Sequence, residues 1–342
     1  MAYERARARV IVDGEDVSLR FRRLLISMTI SKTRKPESDT ADVELDDRVA
    51  ELPPKGSRVV ISIARRGSPF IERFRGKTDE PRSAGGRNGG RVLRVHAKAS
   101  DMGGALKERR SKDWTDQKLG RILEEAGKEA ELSRVIVAPE YADLHRTFED
   151  MDNESFPAFG RRIAREIGAT FKIEDDLAVF AVPNRGMSAT GQALPIVPIT
   201  YGDNLLDWDI VPTIARPAHR KHQASWFDRQ TASWRREERE GAGERATRRA
   251  GAARANGAEA SEETGAGAAG EESSAGKGSI SCLGDTRLQP EGFVTLAGAR
   301  RGVDGRYVVD SMRETVDRSG GYGASLEVEA PGEGAGKTGA DG

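Results

Sequence analysis

The stretch from Asn153 to Phe180, NESFPAFGRRIAREIGATFKIEDDLAVF, constrains this chain more than any other. Phe156, Phe159, Ile163 and Ile167 recur at the spacing of one helical face. Ser155 stands where an N-cap belongs. Pro157 falls in the first turn, where a missing N–H costs little, and Gly168 supplies a left-handed stop. Phe171 and Ile173 then alternate with polar residues, Asp175-Asp176 turn the chain, and Leu177 to Val182 runs apolar. Periodicity alone predicts one helix with a β-hairpin behind it, a unit that many α+β domains contain.

With 342 residues the chain is long enough for two or three domains. Lys+Arg and Asp+Glu both number 55, which argues against a general nucleic-acid binder with its basic excess. The single cysteine, Cys282, excludes an intramolecular disulfide and suits a reducing compartment, as a buried thiol. The N-terminus lacks the apolar core of a signal peptide, and no apolar run approaches the ~18 residues of a membrane span. The expectation is a soluble protein assembled in the cytoplasm, without a membrane partner.

Residues 1–100 read as antiparallel β. Strands are expected at Arg9–Val12, Leu24–Ile30, Ala41–Leu45, Val59–Ile63 and Val92–Ala97, with turns at Asp13-Gly14 and Leu52-Pro53-Pro54-Lys55-Gly56. Such a series predicts a small barrel or sandwich. A helix is expected from Thr115, with Asp116 at its positive end and Leu119, Ile122, Leu123, Ala126 and Ala130 as its apolar stripe. Strands return from Leu194 to Ile214. There Leu205-Leu206 opens an apolar alternation as Leu24-Leu25 does. The segment from Phe74 to Val95 also rhymes with that from Arg306 to Val328, a weak internal repeat.

Arg235 to Ser279 is different material, about 45 residues without Val, Ile, Leu, Met, Phe, Tyr or Trp. It cannot bury enough apolar surface to offset ordering costs of ~1–2 kcal/mol per residue, so it is expected to be mobile. Its first half is Arg-rich and its second Glu-rich.

No catalytic motif stands out: neither GxGxxG after a strand, GxxxxGK[ST], GxSxG nor HExxH occurs. His219 and His222 are spaced H-x-x-H, but the cations Arg220 and Lys221 between them disfavour a metal. Asp175-Asp176 sit where a hairpin turn is expected, which explains them better than acid–base work. Arg-Arg pairs at 22–23, 65–66, 109–110, 161–162, 235–236, 248–249 and 300–301 have acids nearby and read as solvated or inter-subunit salt bridges. Aromatics are sparse, so base stacking is not expected. Catalytic, cofactor and metal residues are therefore expected to be none.

The order of residue types carries a resemblance. Ser155, Phe156-x-x-Phe159, Arg161-x-Ile163-Ala164, Gly168-Ala169-x-Phe171 and Leu177-x-Val179-Phe180 resemble the central signature of the phage late control D proteins. That family forms the hub of contractile tails and is similar to the hub portion of VgrG-type spikes. Leu24-Leu25 through Asp46-Asp47-Arg48 to Leu52-Pro53-x-x-Gly56 resembles the family's opening. Gly202-Asp203-Asn204-Leu205-Leu206-x-Trp208, Gly305-Arg306-Tyr307-Val308-Val309 and Gly320-Gly321-Tyr322 follow in family order. Two departures are the long Ala/Gly/Arg/Glu insert and Met312-Arg313-Glu314, where members often carry a His.

The resemblance implies an α+β fold with two antiparallel tail-tube-like β-barrels flanking a small α/β middle domain. The first barrel would span 1–100, the middle domain 101–190, and a split second barrel 191–232 and 279–331. By composition, and not by the resemblance, residues 233–278 are expected to be a low-complexity mobile insert and the Gly-rich 332–342 a disordered tail. The implied function is a non-enzymatic structural hub of a contractile tail baseplate, a homotrimer joining the sixfold tail tube to the threefold central spike. Its partners would be itself, the tail tube protein, the central spike protein, and baseplate and tape-measure proteins. Its place would be the virion tail baseplate, after assembly in the host cytoplasm. A tail-associated cell-wall hydrolase with a carboxylate acid, or a β-rich host-surface adhesin, are the alternatives from other classes.

Overall fold

The computed structural model describes residues 6–35, 37–48, 51–65, 67–86, 90–99, 104–174, 176–187, 192–211, 220–228, 231–241, 246–250, 253–254, 256–274, 276–318 and 321–331. The first region holds β1 (Arg7–Val12), β2 (Glu15–Asp16), α1 (Ser18–Leu24), β3 (Leu25–Thr33), β4 (Thr40–Asp46), β5 (Arg58–Ala64), β6 (Ile71–Thr78), β7 (Arg82–Gly86) and β8 (Gly90–Lys98). The middle region holds β9 (Arg110–Lys118), α2 (Leu119–Glu129), β10 (Arg134–Val137), α3 (Pro139–Ala142), β11 (His145–Glu154), α4 (Phe156–Ile167), β12 (Thr170–Glu174) and β13 (Leu177–Ala181). The last region holds β14 (Val197–Thr200), β15 (Leu205–Ile210), β16 (Lys221–Asp228), β17 (Ser233–Glu240), β18 (Thr247–Arg249), α5 (Gly257–Ser274), β19 (Gly278–Leu283), β20 (Phe293–Ala297), β21 (Gly305–Asp317) and β22 (Gly321–Glu329). Strands far outweigh helices, so the expected α+β class resolves into a mostly β protein with large antiparallel sheets.

The central stretch folds as its periodicity predicts. Phe156, Phe159 and Ile163 of α4 are fully buried with Phe180 of β13. Gly168 takes a left-handed φ of 70° at the C-cap. Ser155 occupies the N-cap position through its backbone, and its side chain makes no capping hydrogen bond. Gly160 is required: a Cβ there would lie 2.5 Å from the Phe171 ring, inside any tolerable contact. The Trp114 and Phe159 rings stack at 5.7 Å between β9 and α4. The helix expected from Thr115 instead begins at Leu119, because Arg110–Lys118 pairs with β11 across that span. Asp116 is consequently a strand residue with φ 57°.

The outer regions share one 14-stranded sheet whose path runs β15-β19-β22-β21-β3-β4-β8-β6-β5-β1-β2, with β14 reached through β20. The first region contributes the order β3-β4-β8-β6-β5-β1 and the last β15-β19-β22-β21-β20-β14. Numbered along the chain within each region, with β2, β7 and the separate β16–β18 set aside, both read second, third, sixth, fifth, fourth, first. The weak sequence rhyme thus falls on corresponding strands, although its register is one or two residues off. One pairing differs: β1 runs antiparallel to β5, whereas β14 runs parallel to β20.

The two regions meet where β3 pairs with β21, Thr33 opposite Ser311 through Ser27 opposite Asp317. Each region has its own apolar core, and Val316 and Tyr322 at the end of the β21–β22 hairpin enter the core of the first region.

The segment expected to be mobile contains β17, β18 and α5. The reason lies outside it. β16 does not join the 14-stranded sheet but forms a three-stranded sheet with β17 and β18, and it lends aromatics. Phe227 meets Trp234 edge-on at 5.4 Å, and Gly257 of α5 sits over Trp226. Ala and Gly let α5 approach this sheet closely: a Cβ on Gly267 would lie 2.8 Å from His222.

Burial ranks the aromatics. Phe159→Ala should destabilise by about 3–5 kcal/mol, the range for a fully buried ring. Trp208, half-buried at the sheet edge, should cost less, and Trp234, 66% exposed, should stay within about 0.5 kcal/mol. Urea unfolding of the three variants checks this order; an equal loss at Trp234 would contradict it.

Candidate functional site

The candidate site of this chain is a set of charged joints and open strand edges rather than a catalytic cleft. The first joint lies beneath the β3–β21 pairing. Arg73 on β6 and Glu314 on β21 form a fully buried ion pair, Nε to Oε2 2.8 Å. Arg73 also donates to the carbonyls of Thr286 and Leu288 at 2.8 and 2.6 Å, and the Tyr322 hydroxyl donates to the other Glu314 oxygen. A buried charge pair is tolerable only when its remaining donors and acceptors are satisfied, and here they largely are. Burial and the nearby carboxylate push the Tyr322 hydroxyl far above its ordinary range. Burial, then the charge of Arg73, lowers Lys32 on neighbouring β3.

The second joint brings three regions together. Arg34, just after β3, donates to Asp310 at 2.6 Å, to Glu329, and to the Asn184 side chain at 3.0 Å. Glu291 accepts from the Thr170 hydroxyl at 2.9 Å and the Asn184 N–H at 3.0 Å, with Arg34 3.8 Å away. Lys35 adds to Asp310 at 3.0 Å and Lys277 to Glu329 at 2.8 Å. Burial pushes Glu291 up. Burial opposes ionisation of Asp310 too, yet the hydrogen bond from Lys35 and the charge of Arg34 hold its carboxyl below the ordinary range. Lys172 of β12 reaches Asp39, before β4, at 3.0 Å, a further tie from the middle region to the first.

The third joint holds α5. Arg146 of β11 bonds Glu262 at 3.1 Å and lies near Glu149 and Glu259. Arg254 bonds Glu263 at 2.7 Å and Glu166 of α4 at 3.2 Å, while Arg162 gathers Glu149, Glu154 and Glu166. Burial raises the Glu149 and Glu262 carboxyls despite these partners. The segment thus docks on the middle region in both senses: Arg146 of β11 meets Glu262 and Glu259 of α5, and Arg254 of the segment meets Glu166 of α4. Composition does not show that match, because Arg146 and Glu262 lie 116 residues apart.

Other residues singled out in the sequence fall apart in space. His219 lies outside the described residues, and His222 is buried on β16 beneath α5. Asp175 is likewise outside, and Asp176 is an exposed turn residue whose carbonyl accepts from Ser133. Cys282 is buried on β19, with its thiol pushed up to about 12 by burial. Of the arginine pairs, Arg162 joins the third joint, Arg65 lies 3.4 Å from Asp285, Arg110 bonds Glu108 and Arg235 bonds Asp228. Among the described residues no cluster of His, Cys, Asp and Glu could hold a metal ion, and no helix is long and apolar enough to cross a membrane.

Among the strands of the 14-stranded sheet that keep one edge open among the described residues are β15 and β7. β15 pairs only with β19, and β7 only with β8. Every residue of β7 is exposed, as are Leu206, Asp207 and Asp209 of β15.

Two predictions test the joints. Glu314→Leu should cost about 3–5 kcal/mol by stranding the Arg73 charge, and adding Arg73→Met should recover much of that; thermal unfolding of the single and double variants measures it. Asp285 and Asp310 are both held below the ordinary 3.8. Their contribution is therefore present above about pH 4 and lost as the pH falls through their lower folded-state values. Asp310→Asn should flatten the acid limb of a stability–pH curve, and an unchanged limb would refute the assignment.

No family model matches the chain. It matches the proteins named "probable baseplate hub protein" of Escherichia phages 186 and P2, 27% identical over 194 residues and 28% over 196. The matches take in 56% and 57% of this chain and 49% and 50% of the relatives, so the chain spans about half the length of the curated relatives it matches. Among solved structures, the 43 kDa tail protein of prophage MuSo2 from Shewanella oneidensis superposes with a TM-score of 0.68 at 12% identity, over 96% of this chain and all of that one. An E. coli type VI secretion component, described as structurally similar to the T4 tail proteins gp27 and gp5, gives 0.56 at 9% identity over 89% and 73%. The late control D resemblance therefore stands: the chain is related to the baseplate hub proteins of phages P2 and 186 and has the fold of phage tail proteins.

Proposed function

We propose that this chain is the structural hub of a phage-type contractile tail baseplate, joining a sixfold tail tube to a threefold central spike. The observation that carries the reading is the strand order repeated in the first and last regions. A chain that offers two similar β units can form a ring of three copies with six like units, which is what a sixfold tube can stack upon. In this reading residues 1–100 form one tube-like barrel. Residues 197–210 and 278–329 form the other, narrower than the limits expected from sequence because β16 belongs elsewhere. The middle region braces both through Arg34, Glu291 and Lys172. Its partners are two further copies, the tail tube protein, the central spike protein, and baseplate and tape-measure proteins. Its place is the virion tail baseplate, following assembly in the host cytoplasm, with a scaffolding rather than an enzymatic role.

Light scattering on the purified full chain should give three times the mass of one chain. Electron cryomicroscopy of an assembled tail tip should show three copies, with the two β units alternating around the axis beneath the tube. A stable single chain, or six copies in the ring, would overturn the hub reading.

A further inference from the structure

The internal β3–β21 joint supplies a template for a second joint that one chain leaves unmade. The pairings put β3 and β15 in the same register, because both carry a bulge at the same place. Leu25 pairs with Leu45 and Ser27 with Glu44; Leu205 pairs with Cys282 and Asp207 with Ser281. Leu25, Met28 and Ile30 therefore correspond to Leu205, Trp208 and Ile210. Following the ladders outward, Val43 corresponds to Ile280, Val95 to Leu326 and Leu93 to Ala324. Crossing once more, Ser83 of β7 corresponds to Glu314 of β21 and Gly86 to Asp317, the last two each ending a ladder, opposite Gly90 and Gly321. β6 and β7 together are thus the counterpart of the long β21, interrupted near Pro81.

In the last region, the edge of β21 from Ser311 to Asp317 is covered by β3 of the same chain. Its counterpart, the edge of β7, has no partner among the described residues, and neither does the outer edge of β15, the counterpart of β3. Unpaired backbone N–H and C=O groups along both edges are templates for strand addition. We propose that copies of this chain join by pairing β15 of one copy with β7 of the next, antiparallel, with Ile210 opposite Ser83, Asp209 opposite Ala84, Trp208 opposite Gly85 and Asp207 opposite Gly86. This rests on the ring reading above and deepens it to named strands and a register. Such a head-to-tail contact is heterologous, so it propagates around a closed ring rather than ending at a dimer.

Side chains fit the register. Where the internal joint sets Val316 opposite Met28, the external one sets Gly85 opposite Trp208, exchanging a medium pair for the smallest and the largest residue. Trp208 is only partly buried in the single chain, and a neighbour's hairpin would cover it. Asp207 and Asp209 are exposed on β15, while Arg82 and Arg91 are exposed on β7 and β8. In the proposed register Asp209 lies diagonal to Arg82, within reach of a cross-strand charge pair.

Two measurements on the full chain test this. The double variant Ala84→Cys/Asp209→Cys should form disulfide-linked species of two and three chains on mild oxidation, since directly opposed strand residues meet disulfide geometry. Ala84→Cys/Asp207→Cys, two residues out of register, and each single variant should remain single chains on a non-reducing gel. In the unsubstituted protein, amides of 82–86 and 206–210 should exchange at least tenfold slower in the assembled state than after dilution to single chains. A three-chain mass with no linkage in register, or linkage of the shifted pair, overturns the joint and leaves the hub reading standing. A single-chain mass without linkage or protection overturns both.

Discussion

Everything in the larger sheet depends on the pairing of β3 with β21, because it converts two separate β units into one continuous surface. β21 serves two partners on one edge: β20 pairs with its first residues, and β3 with those from Ser311 onward. The buried Arg73–Glu314 pair lies directly behind this joint, with Tyr322 as a third member. An apolar pair of similar volume would hold the same space at no desolvation cost. What the charges add is demand for one arrangement, since a slipped register would leave a guanidinium or a carboxylate buried without its partner.

The middle region and α5 are attached by different chemistry. Arg34, Lys172, Arg146 and Arg254 tie them to their neighbours, each facing one or more carboxylates. A Glu- and Ala-rich helix with no large apolar side chain adds these charge pairs to its close approach to Trp226 and His222 of β16. Its arginine partners are largely buried, so salt screens them less than it screens exposed pairs. The duplicated strand order also explains where these additions sit. The middle region fills the connection between the two β units. The β16–β18 sheet and α5 fill the connection between the second and third strands of the last unit, which in the first unit is the short loop from Arg34 to Asp39.

The duplication is imperfect in ways that bear on assembly. Pro81 breaks the strand that β21 runs through unbroken, and the β7–β8 tip carries Gly85 and Arg91 where the β21–β22 tip carries the buried Val316 and Tyr322. The tip of the internal joint is therefore packed with apolar side chains. The outer edges carry arginines on one side and aspartates and a tryptophan on the other, as suits surfaces that stay solvated until a partner arrives.

The sequence by itself determined the local elements whose apolar period is strong: α4 and its hairpin, the stripe of α2, and most strands of the first region. It also held the hub resemblance in the order of its motifs, and a trace of the repeat in Leu205-Leu206 and Gly305 to Val309. Three things were decided only by tertiary structure. Thr115 to Lys118 became strand rather than helix because β11 was there to pair with it. The apolar-free segment acquired strands and a helix because Trp226 and Phe227 of β16 supplied the apolar surface its own composition lacks, and Arg146 of β11 met its glutamates. Arg73 met Glu314 across 241 residues, a pairing with no local signal, because a buried charge selects its partner by place in the fold and not by spacing along the chain.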